Sequence, residues 1–233
     1  MSINETHLGQ LRGLSEAHQT WVGATIKSWW DYVVGDVPTN LPDARLNREE
    51  LKKIAQHDSG FGNAEVFGAV KAWGGMNRQH AQLSIMKIDG ISDVIEGLRT
   101  NKLSRSEGFS QFHLMRMNKN LPGMTAAYFT KLIFFCSPSH DGYIMDQWTS
   151  KSVNLLYDDQ TVRLSSKGFV TDKNDADIYE LFCQRVEGIA RHLNCSPEEA
   201  EVRMFSAGRG KGRWRNYVKA HWGMPVTGNP VTK

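Results

Sequence analysis

The chain has 233 residues, 40% of them apolar and 23% charged, with a formal net charge of +3. That is room for one large core or two small lobes, at a composition that excludes a low-complexity or strongly charged disordered chain. No apolar run approaches a membrane span and Met1-Ser2-Ile3-Asn4-Glu5 lacks a basic-then-apolar signal pattern, so a cytosolic protein without a membrane partner is expected.

Taken in order, residues 8 to 34 read as helix, with Leu8, Leu11, Leu14, Trp21, Val22, Ile26, Trp29, Trp30 and Val33 as its apolar positions. Gly35 to Pro42 breaks it. Asn47, followed three residues later by Glu50, carries an N-cap signal for a helix that fades near His57-Asp58-Ser59-Gly60. Ala64 to Trp73, Ile91 to Leu98 and Ser106 to Met115 are further helical runs. Asp146 to Tyr157 is another.

Thr161 to Val170 is the only strand-like part. Asp175 to Leu193 has strong helical spacing, and Ser196-Pro197-Glu198-Glu199 starts a helix with serine as cap and proline at its first position. The fold class is therefore mainly all-α.

Cys136, Cys183 and Cys195 form no CxxC pair, and the first two sit in apolar runs that suit buried thiols. The eight histidines show no ligand spacing, so no metal and no cofactor are expected. Charge is uneven: from Arg203 to His221 come Arg209, Lys211, Arg213, Arg215 and Lys219, with no acid after Glu201. A basic, glycine-interleaved segment at 207–233 suggests a phosphate partner.

The most informative stretch runs from Leu121-Pro122-Gly123 through Thr125 to Cys136. Thr125 can cap a helix that is apolar throughout except for Lys131, whose helical neighbours are Ala127, Tyr128, Phe134 and Phe135. Such a lysine either snorkels to water or lies in a water-poor pocket, where desolvation lowers its pKa and frees the neutral amine as a nucleophile. Asp146, at the mouth of the next helix, reads locally as a cap. A capping carboxylate can also act in catalysis, because the same bonds keep it ionised and aimed. Residues 106–136 outline helix, Lys119-Asn120 linker, Pro-Gly turn and second helix, an arrangement that aims backbone N–H groups at phosphate.

With Leu121-Pro122-Gly123, Lys131, Pro138, Gly142 and Asp146 in place, the chain resembles the helix–hairpin–helix, Gly/Pro-loop-Asp superfamily of DNA glycosylases. Phe129-Thr130-Lys131-Leu132 and Ile144-Met145-Asp146 are similar to bacterial proteins with an 8-oxoguanine DNA glycosylase fold. Ala72-Trp73-Gly74, Tyr179 to Cys183 and Glu199 to Phe205 extend the likeness. It departs at Thr125, where the family has glycine, and at Trp148, where the family has histidine. Lys131 also lies about one helical turn, roughly 6 Å, further from Gly123 than the family lysine.

The resemblance implies two helical lobes flanking a cleft, in a single unit over 1–233 that acts as a monomer. It implies Lys131 as a Schiff-base nucleophile and Asp146 as its catalytic partner, excising a damaged or modified base from a nucleotide flipped out of double-stranded DNA. Strand cleavage at the abasic site would follow as AP-lyase activity. DNA would be held by Lys119, Asn120, Gly123 and Thr125 of the hairpin and by Arg209, Lys211, Arg213 and Arg215. Phage defence, acting on a modified phage base, is one setting the resemblance suggests. A non-catalytic DNA-binding protein that kept the fold is the alternative.

Overall fold

Side-chain caps mark where the chain turns into helix. A computed structural model describes residues 2–15, 21–206 and 212–222. Asn4 caps α1 (Glu5–Leu14) by accepting from the His7 N–H, and Asn47 caps α3 (Arg48–Ala55) in a reciprocal box with Glu50. Asn77 caps α5 (Arg78–Ile85), Ser104 caps α7 (Arg105–Met117), Asp175 caps α10 (Ala176–Leu193) and Ser196 caps α11 (Pro197–Phe205). The remaining helices are α2 (Ile26–Val33), α4 (Asn63–Gly74), α6 (Ile88–Arg99), α8 (Ala126–Cys136), α9 (Gln147–Leu156) and α12 (Arg213–His221). Among the described residues the fold is all-helical, as expected.

Two local expectations are corrected, and one helix is added. The single helix over 8–34 is two: α1 ends at Leu14, and α2 begins at Ile26. Between them, the N–H groups of Gly23, Ala24 and Ile26 donate to Leu46, Ala72 and Ala44 instead of to their own helix. Gly23 lies so close to the Trp73 backbone that a Cβ would overlap it.

The strand-like segment 161–170 is a loop closed by one isolated antiparallel bridge, Leu164 to Val170. Helix α5 was not foreseen, because it buries only Ala81 and Ser84 and so shows little apolar period.

Helices α2 to α8 form one lobe around α8, which packs on α3, α4, α6 and α7. Every α8 residue from Phe129 to Cys136 is buried, Lys131 included. Full burial of each of its phenylalanines stabilises the fold by about 1.5–3 kcal/mol. The second lobe gathers α9, α10, α11 and α12, and α1 returns from the other end of the sequence to pack on α9 and α12.

Helices α7 and α10 join the lobes: Phe109 stacks on Tyr179 at 4.5 Å, and Arg105 forks to Glu180 and Glu187, each at 2.6 Å. Arg48 of α3 crosses to Glu201 of α11 at 2.7 Å, a pair buried on both sides. The cleft opens beside that pair.

Candidate active site

The hairpin before α8 is pinned from α5. Gly123 has φ +75°, and a Cβ there would sit 2.9 Å from the His80 Cα, so both conformation and space require glycine. The Ser84 hydroxyl donates to the Pro122 carbonyl at 2.6 Å. Thr125 occupies the N-cap position of α8 without using its side chain as a cap. Its carbonyl accepts from Tyr128 and Phe129, which starts the helix and sets the register of Lys131.

Lys131 is 9% exposed, and its amine donates to the Ala127 carbonyl at 2.6 Å. Burial holds its pKa below the ordinary 10.5; Asp146 and Glu201 pull it back up, and Arg48 adds a small push down. The Lys131 stem lies against Gly74, the last residue of α4, where a Cβ would be 2.9 Å from its Cδ. Beneath it Lys71, with no exposure, donates to the next carbonyl, that of Tyr128, at 2.8 Å.

Asp146 caps α9. Its Oδ1 accepts from the Trp148 N–H at 2.7 Å and the Thr149 N–H at 3.0 Å. Among the described residues Oδ2 accepts no hydrogen bond, and Asp146 forms no direct ion pair with Lys131. One oxygen thus fixes the carboxylate and the other stays available.

Lys131 and Asp146 line one cavity of about 640 Å³, together with Thr125, Glu201, Arg215 and the rings of Trp21, Trp73, Tyr128, Trp148, Phe169 and Phe205. A space of this size takes a small organic group, and aromatic walls suit a flat one. Glu201 is 2% exposed; burial raises its pKa, and Arg48 opposes that rise. The Trp21 indole donates to the Trp73 carbonyl at 2.8 Å, tying the non-helical 21–25 segment to the rim. No group of three or more His, Cys, Asp and Glu among the described residues is placed to hold a metal.

Of the residues expected to bind DNA, Thr125 and Arg215 line the cavity. Lys119 and Asn120 are exposed on the hairpin, and Gly123 is packed on α5. Arg213 is exposed and donates to the Gly13 carbonyl at 3.2 Å. Arg209 and Lys211 lie outside the described residues. Sequence reasoning missed Glu201 as a site residue, although it falls three and four places before Met204 and Phe205 on the inward side of α11. It also missed Lys71, which stands in an otherwise apolar run.

The model of the family described as "OGG: Putative 8-oxoguanine DNA glycosylase OGG-like protein" matches residues 14–205. The chain belongs to that family. The family's description points to DNA glycosylase function and to DNA as partner, for a helical cleft that holds a buried lysine and a fixed carboxylate. The OGG-like match takes in Lys131, Asp146 and Glu201 and stops before α12, which carries Arg215. No curated protein and no solved structure gives a significant match. No helix among the described residues is long and apolar enough to cross a membrane.

Proposed function

We propose that the chain is a DNA glycosylase that excises a damaged or modified base through Lys131, with AP-lyase activity following from the same intermediate. The observation that carries this reading is a buried amine of lowered pKa sharing an aromatic-walled cavity with a cap-held carboxylate. The target nucleotide rotates out of the duplex, at a cost of a few kcal/mol, and its base enters between the rings.

The neutral Lys131 amine attacks the sugar C1′. A C–N bond forms there as the glycosidic bond breaks, and the base leaves with the electron pair. The free Oδ2 of Asp146 stabilises the positive charge that grows on the sugar ring. Glu201, whose raised pKa favours proton exchange, accepts the proton Lys131 must lose and returns it to the departing base. The C1′–O4′ bond then breaks, O4′ takes a proton, and the nitrogen lone pair forms the C=N bond; this imine acidifies the neighbouring C2′–H, which permits β-elimination of the 3′ phosphate.

Two measurements test this. Borohydride should trap wild type, but not Lys131→Ala, on abasic-site DNA; equal trapping of both would remove Lys131 from the mechanism. Base release by mass spectrometry from duplexes carrying 8-oxoguanine, uracil, hydroxymethylcytosine or glucosylated hydroxymethylcytosine identifies the substrate. Binding without release from any of them would instead support a DNA-binding protein that kept the fold.

A further inference from the structure

Three cationic heads surround one indole beside the cavity. From the Trp148 ring centre, the Arg215 Cζ lies at 4.8 Å, the Lys151 Nζ at 4.8 Å and the Lys219 Nζ at 5.5 Å. A single cation satisfies the face of a tryptophan. Lys219 and Lys151 repel each other, and with Arg215 on the same ring the cluster suits an anion. The protein supplies little: none of the three forms an ion pair with a carboxylate among the described residues, and no acidic side chain follows Glu201 in the sequence. Among the described residues Asp146 is the acid that acts on Lys151 and Arg215, and one of its two oxygens is already bonded to the start of α9.

Two of the heads lack full partners. Arg215 is 2% exposed and held between the Trp148 and Phe205 rings; its Nε donates to the Phe205 carbonyl at 2.6 Å, while its buried Nη2 has no partner. Lys151 is 5% exposed, makes no hydrogen bond among the described residues, and rests over the Trp222 ring at 4.2 Å. The loop at Gly168, with φ +78°, closes so tightly over Lys151 that a Cβ there would meet its Nζ at 2.5 Å. Burying an unpaired donor, as at the Arg215 Nη2, is unfavourable unless something bound there completes it.

We propose that Arg215, Lys151 and Lys219 form a binding site for one backbone phosphate of DNA, next to the nucleotide whose base occupies the cavity. Arg215 lines the cavity and Lys219 is exposed, so the three lead from the base pocket outward as a backbone must. Arginine and lysine donors are the usual partners of phosphate oxygens. Two of the three residues stand on α12, beyond the span matched by the family. The site rests on the glycosylase reading of the cavity.

The test uses the full chain and a duplex with a tetrahydrofuran abasic analogue, with all phosphates intact or with a neutral methylphosphonate 5′ or 3′ to the analogue. Wild type should lose about tenfold in affinity at one of the two neutral linkages. Lys219→Met, at an exposed position, should lose a similar factor on the intact duplex and little more on that neutral one, and its binding should depend less on salt by about one counterion. Lys151→Met should behave alike; if it does not fold, Lys219→Met decides alone.

Wild-type affinity and salt dependence in Lys219→Met, or losses that multiply with the neutral linkage, overturn the phosphate site and leave the glycosylase reading intact. Failure of wild type to bind any duplex overturns both.

Discussion

Lys71 and Lys131 donate to consecutive carbonyls, Lys71 to Tyr128 at 2.8 Å and Lys131 to Ala127 at 2.6 Å. Two amines therefore crowd the first turn of α8, and the deeper one has no access to water. Burial, with a further push from Lys131, holds the Lys71 pKa well below its ordinary 10.5.

From that follows a dependence of stability on pH. An unfolded chain protonates Lys71 up to about pH 10.5, whereas the folded chain has released that proton at much lower pH. The unfolded state thus binds more protons, and stability rises with pH across this window, by at most about 1.4 kcal/mol per unit from this residue. Lys71→Met removes the contribution. Urea unfolding between pH 7 and 9.5 should show a flatter profile for the variant than for wild type.

Glu201 acts on the Lys131 amine through the same electrostatics. Its charge raises the Lys131 pKa, so Glu201→Gln should lower it and move the alkaline rise of borohydride trapping toward lower pH. A trapping profile that stays in place would show that Glu201 does not face the amine. Overall base release should still fall, because the glutamine cannot return a proton to the leaving base.

Substitution separates the cap that Asp146 supplies from the catalytic role proposed for it. Asparagine keeps a side-chain oxygen for the Trp148 and Thr149 N–H groups, so Asp146→Asn should unfold within about 0.5 kcal/mol of wild type yet lose base release. Asp146→Ala loses the cap as well, at about 0.5–2 kcal/mol. Denaturation curves and single-turnover excision, measured on both variants, check the pair.

Gly74 bears on position alone. In Gly74→Ala the new methyl would lie 2.9 Å from the Lys131 Cδ and displace a flexible stem, not backbone. Trapping should slow by about tenfold or more, since displacement of a reacting group by about 1 Å has effects of this order, with little change in melting temperature.

Trp214 fixes α12 to α9. It is fully buried and its indole donates to the Ser152 hydroxyl at 2.9 Å. Trp214→Ala should destabilise the fold by about 3–5 kcal/mol. Ser152→Ala, which leaves the indole unpaired but packed, should cost about 1–3 kcal/mol. Chemical denaturation distinguishes the two.

Much of this was legible before any coordinates. Caps at Asn47, Asp146 and Ser196 and the apolar spacing of 175–193 are local signals, and the helices they mark appear where the sequence places them. Lys131 was visible because a cation among aromatics contradicts its neighbours.

What stayed hidden depends on contacts between distant segments. Gly23 ends a helical pattern because the Trp73 backbone lies against it, fifty positions away. The cavity walls come from the 21–25 segment, α4, α8, α9, α11, α12 and the 169–170 loop together, so no single periodicity reveals them. Arg215 read as part of a basic tail; only the packing of Trp214 shows that its neighbour is turned into the cleft.

The return of α1 to pack on α9 and α12 sets an order of assembly during synthesis. The lobe around Lys131 uses residues up to Cys136, which leave the ribosome first. The opposite wall waits until Arg213–His221 emerges and meets an N-terminal helix made some 200 residues earlier. Lys131 thus leaves the ribosome before the wall that closes its cavity, so a nascent chain carries the lysine without the completed cleft.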